Sequence, residues 1–227
     1  PSLLVGMTIS PQTQGLNPYG YEDFLKEKEK GNIRTIQAEG AYFSYRDKEF
    51  ILAVMFVIGV CLVASLPNYL PAYTESVGMT SISGIILSVT LAGNIVSKIV
   101  FGMISDKFSA KSAIVLYALI CAVSLIPLLI HGNVELVLIA AFTYNFTASN
   151  SSVGISIITS DLFGEANYSK VYPMLSFIGS YALAFSSAMI GFLYDIFGSY
   201  SPIFIALMVL QVSIMLITLQ AYRCRKE

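Results

Sequence analysis

The sequence predicts an all-α membrane protein, a six-transmembrane-helix bundle, and three observations carry that reading. Of the 227 residues, 56% are hydrophobic and only 12% charged, against about a quarter charged in an ordinary soluble domain. Six apolar runs reach the length of about 20 residues that a helix needs to cross a bilayer. The basic residues are confined to alternate links between those runs.

The runs are 50–70, 82–104, 112–130, 135–159, 171–193 and 202–222. None shows the polar–apolar alternation of a barrel strand, and lipid admits only helices or closed barrels. The breaks carry ordinary stop signals. Pro67 and Pro71 close the first run, and the Gly78-Met79-Thr80-Ser81 turn precedes the second. His131-Gly132-Asn133 links the third and fourth, and Gly198-Ser199-Tyr200-Ser201-Pro202 the last two.

Lys and Arg give the orientation. All of the chain's 13 Lys and Arg except Lys98 lie in the stretch 11–49, the 104–112 link, the 159–171 link or the tail after 222. The three intervening links carry none. The positive-inside rule therefore predicts a multi-pass protein of the inner or plasma membrane with its C-terminus in the cytoplasm. The apolar stretch 1–10 is too short to span and is read as the end of a truncated transmembrane helix. Segment 11–49 is read as a cytoplasmic loop, 50–222 as the bundle and 223–227 as a cytoplasmic tail. Within the loop, acids at 22–23 precede lysines at 26–30, which suits the dipole of a short surface helix.

Other classes lack their signatures. The segregated charge gives no nucleic-acid surface, and the three cysteines, Cys61, Cys121 and Cys224, make no disulfide framework. There is no His-Glu-x-x-His, Gly-x-Ser-x-Gly or nucleotide loop, so no catalytic residue, metal or cofactor is expected.

The link Gly102-Met103-Ile104-Ser105-Asp106-Lys107-Phe108-Ser109-Ala110-Lys111 resembles the cytoplasmic signature between helices 8 and 9 of the major facilitator superfamily. Gly102, Asp106, Lys107 and Lys111 match its cytoplasmic gate motif; Ser109 and Ala110 replace a Gly and a basic residue. The later stretch Gly191-Phe192-Leu193-Tyr194-Asp195-Ile196-Phe197-Gly198-Ser199-Tyr200 resembles the oxalate/formate antiporter and monocarboxylate transporter branch. That resemblance implies the C-terminal half of a twelve-helix fold, with 11–49 joining it to a six-helix N-terminal half. Ser187-Ala188 stands where the branch often has Gly-Pro.

Lys98 is the one charge deep in a run. Thr90, Asn94 and Lys98 recur every four residues and share a helix face. A charge at this depth usually meets a cavity or a partner; the competing reading is a lysine snorkelling to the interface. The resemblance implies a cation on this helix, assisted by an Asn one turn earlier, holding a substrate carboxylate. Tyr144 and Tyr181 are further candidate substrate-binding residues. The remaining polar groups of the fourth run are read as packing, and Ser176, Ser180, Ala184 and Ala188 as a close-packing seam. Asn68, Tyr69 and Tyr73 read as an interfacial belt.

The expected function is secondary active transport of a small organic anion, monocarboxylate-like, by alternating access. Expected partners are that anion, membrane lipid, the N-terminal half, and protons or a counter-anion. The alternatives are a carrier of a neutral solute or drug, and a transporter-like membrane sensor.

Overall fold

The computed structural model describes residues 47–130 and 133–224. The expectations for 1–10, for 11–46 with its surface helix, and for His131, Gly132, Arg225 and Lys226 lie outside the described residues. The described part is helical, with no strand among the described residues. Helix α1 (Lys48–Val63) continues through a tight turn, Leu66–Tyr69, into α2 (Leu70–Ser76). Next come α3 (Thr80–Lys107), α4 (Ala110–Ile130) and α5 (Val134–Tyr144). A helical turn at Thr147–Ser149 and a wide π-helical stretch at Asn150–Gly154 lead into α6 (Ile155–Phe197). The chain closes with α7 (Ser201–Cys224).

Among the described residues, five helices are long and apolar enough to span a membrane: Lys48–Ser76, Thr80–Lys107, Ala110–Ile130, Asn167–Phe197 and Ser201–Cys224. The run expected at 135–159 is helical but not one α-helix. Phe146, Ala148 and Ser149 donate to carbonyls three residues back, at 3.0–3.1 Å, so the chain overwinds there before widening at Asn150. Amide and hydroxyl side chains compete with the regular backbone ladder, which explains why the polar cluster is where it breaks.

A second break divides α6. Gly164 adopts φ 68° and ψ 171°, a region essentially reserved for glycine. It separates the arm that completes the broken traverse from the long arm that forms the next. Gly198 ends that long arm in the left-handed conformation, its N–H on Tyr194 O at 2.8 Å.

In the bundle, α1 packs between α6 and α7, α7 between α1 and α4, and α4 against both α3 and α5. At Gly93, α3 and α5 approach closely. A Cβ on Gly93 would collide with the Phe142 carbonyl, at 3.0 Å from its carbon and 3.2 Å from Phe142 Cα. The broken stretch is wired to its neighbours on all sides. Asn145 Nδ2 donates to Thr90 O, Ser149 Oγ meets Ser97 Oγ at 2.7 Å, and Gln211 Nε2 donates to Thr147 Oγ1 at 3.2 Å. Tyr117 donates to Ser97 O at 2.7 Å. Thr147 and Ser149 of the fourth run's polar cluster therefore serve packing, while Asn145, Ser151 and Ser152 also border open space.

At the Ser76 end the aromatic residues form a buried knot rather than the expected belt. Tyr73 is fully buried, donates to Leu128 O at 2.6 Å, and packs edge-on to Phe204 at 5.0 Å and Tyr200 at 5.8 Å. Tyr69 donates to Ser187 O at 2.5 Å. Tertiary partners from α4, α6 and α7 outcompete the interface for these rings. Only Asn68 of the three faces open space.

Candidate functional site

Between α1, α3, the broken stretch and α6 lies an open cavity of about 720 Å³, within the usual range for a small-molecule site. The α1 side contributes Cys61 and Asn68; α3 contributes Thr90, Leu91 and Asn94. Asn145, Ser151 and Ser152 come from the break, and Tyr172, Ser176 and Ser180 from α6. None of the lining residues is charged.

The break borders the cavity. Asn145, Ala148, Ser151 and Ser152 of the broken stretch line one wall, the first, second and last of them at the i, i+3, i+7 spacing of a helix face. The hydroxyls mostly donate to their own helices. Thr90 donates to Leu87 O at 2.7 Å, Ser152 to Ala148 O at 2.7 Å and Ser180 to Ser176 O at 2.9 Å. Asn145 spends its amide on Thr90 O. The side-chain amides of Asn68 and Asn94 remain as unspent donors of the cavity among the described residues.

Thr90 and Asn94 therefore line the cavity, while Lys98 is exposed and lies outside its lining. Along α3, Lys98 is about one turn beyond Asn94. On the helical wheel it falls about 40° from Asn94 and about 20° from Leu91, inside the arc that faces the cavity. Its neighbours Ile95 and Ile99 are 66% and 62% exposed, so Lys98 belongs to an exposed, otherwise apolar stretch of α3.

Tyr144 and Tyr181 sit elsewhere. Tyr144 is fully buried and donates to Val63 O at 2.8 Å; of that adjacent pair it is Asn145 that reaches the cavity. Tyr181 is 65% exposed, against Phe177 with ring centroids 4.8 Å apart. The seam expected on α6 is corrected too. Ser176 and Ser180 line the cavity, and Ala184 and Ala188 are exposed. A four-residue repeat drifts by about 40° per step around a helix, so the four positions cannot share one contact. The close contacts to α1 come instead from Gly179, whose Cβ would lie 3.1 Å from Cys61 Sγ, and from Ser186, which bonds Ser65 and Leu62 O.

The gate-motif residues cluster at the far end of α3. Asp106 and Lys107 are exposed, and Lys107 Nζ stands 5.7 Å from the Phe108 ring centre. Ser109, which replaces the expected Gly, caps α4: its Oγ accepts from Ser112 N–H at 3.2 Å. Lys111 follows on the first turn of α4. A Cβ on Gly102 would meet nothing within 4 Å, so this glycine of the motif makes no close helix contact within the described bundle.

The model of the Major Facilitator Superfamily matches residues 50–223, every helix described above. The chain belongs to the Major Facilitator Superfamily. No curated protein and no solved structure matches it. Membership makes this a multi-pass membrane transporter protein, with the cavity on one side of its helical bundle.

Proposed function

We propose that the bundle is half of a secondary transporter that carries a small, monocarboxylate-like organic anion by alternating access. The reading rests on Lys98, which shares the helical arc of Thr90, Leu91 and Asn94 on α3 and follows Asn94 by about one turn, just outside the uncharged lining of the cavity. An isolated charge in a spanning helix costs at least about 2.5 kcal/mol on insertion scales, and an anionic ligand offsets that cost. Asn68 and Asn94 supply donors to the same anion. A second six-helix half closes the open side of the cavity, and protons or a counter-anion drive the cycle. The Lys and Arg pattern supports a cytoplasmic C-terminus in the plasma membrane.

A neutral solute is the second reading, favoured by the cavity's wholly uncharged amide and hydroxyl lining. Competition distinguishes the two. With the intact protein in proteoliposomes, excess lactate, formate or pyruvate should block uptake of a labelled carboxylate, and neutral isosteres such as the amides should not. Equal competition by the amides would favour the neutral-solute reading.

A further inference from the structure

Where α1 starts and α7 stops, the two helices leave a groove of about 400 Å³ that is separate from the central cavity. Ile51 and Leu52 give it an apolar wall. Its charged lining residues are Lys48 and Arg223, both exposed, and Gln220 and Cys224 complete it. Phe50, the neighbouring bulk on α1, turns the other way and packs edge-on to Phe163 at 6.3 Å, which leaves the groove unfilled. The acids Asp47 and Glu49 flank Lys48 in sequence but do not line it. Asp161, on the α6 side of α7, accepts from Tyr222 at 2.7 Å.

We propose that this groove binds an anionic glycerophospholipid, its phosphate held between Lys48 and Arg223 and one acyl chain laid against Ile51 and Leu52. Long basic side chains at a spanning-helix end place their charge at headgroup depth, with the apolar wall of the groove beside them. Such a lipid satisfies both parts of the site. A soluble anion would leave the apolar wall wet, and a zwitterionic lipid carries its own cation against the phosphate. Basic clusters at the cytoplasmic end of spanning helices attract anionic lipids at about fivefold in affinity per cation. The inference rests on the membrane topology and not on the nature of the carried substrate, so the two proposals fail separately.

Native mass spectrometry of the intact protein, titrated with phosphatidylglycerol and with phosphatidylcholine, tests it. Phosphatidylglycerol should bind more tightly, and the double variant K48Q/R223Q should lose roughly 25-fold of that affinity, two cations at about fivefold each. K107Q/K111Q, at the same end of the bundle but outside the groove, should lose clearly less than K48Q/R223Q. Ile51→Trp fills the groove from a position that is 49% exposed, so it should lower phosphatidylglycerol binding without disturbing the core. Circular dichroism confirms that each variant remains helical. Equal binding of the two lipids would overturn the proposal. So would unchanged binding by K48Q/R223Q, equal losses in K107Q/K111Q, or full binding by Ile51→Trp.

Discussion

Gly93→Ala tests the packing that shapes the cavity. The added methyl would meet three backbone atoms of Phe142, its carbonyl oxygen, carbon and Cα. Backbone has no rotamer to yield, so α3 and α5 must separate by at least several tenths of an ångström. That movement acts on contacts bridging the same two walls: Asn145 to Thr90 O, and Ser97 to Ser149 at 2.7 Å. Overpacking of this kind costs about 1–3 kcal/mol. For a unit of this size that corresponds to a fall of roughly 2–12 °C in the unfolding midpoint. The chain has three cysteines and no Trp, and Cys121 is buried away from the cavity, so in a C61A/C224S background a thiol-reactive fluorophore reports unfolding through Cys121 alone. A midpoint for Gly93→Ala equal to that of the parent would refute the claim that this contact sets the spacing of α3 and α5.

Other substitutions separate packing from site. Gly154→Ala should leave the midpoint nearly unchanged in the same assay, because its Cβ would sit at ordinary contact distances of 3.6–3.7 Å. Asn145→Leu removes the amide bond to Thr90 O and should cost about 0.6–1.7 kcal/mol, the range for polar contacts between membrane helices. It should also slow uptake in proteoliposomes by making the cavity wall apolar. A small methanethiosulfonate reagent should label Cys61, which borders the cavity, before Cys121, which does not; mass mapping of the labelled peptides checks the order.

Much of the fold was legible because membrane helices must satisfy their backbone internally, and run length alone then locates most of them. The stripe of Thr90 and Asn94 could be read from its four-residue spacing, and both face the cavity. The rest depended on partners that a sequence does not display. Gly93 and Gly102 look alike on α3, yet only Gly93 has a backbone against it. Tyr144 and Asn145 point about 100° apart, and nothing local says which one meets the core. The outcome follows from Val63 O, 81 residues away, accepting the tyrosine hydroxyl. The polar cluster signalled trouble for a regular helix, but not that the chain would overwind at 146–149 and widen at 150–154.

The claim that Lys98 anchors an anion is tested most directly by its own substitution. Initial uptake of labelled lactate, formate, pyruvate and oxalate by the intact protein would be compared with Lys98→Ala and Lys98→Arg. Loss of a charged hydrogen-bond donor is worth about 1.5–3 kcal/mol, so Lys98→Ala should lose about 10- to 100-fold in uptake efficiency. Lys98→Arg, which keeps the charge but changes its geometry, should retain part of it. Carboxylate uptake indifferent to both substitutions would contradict the account and leave Lys98 as a lysine reaching for the membrane interface.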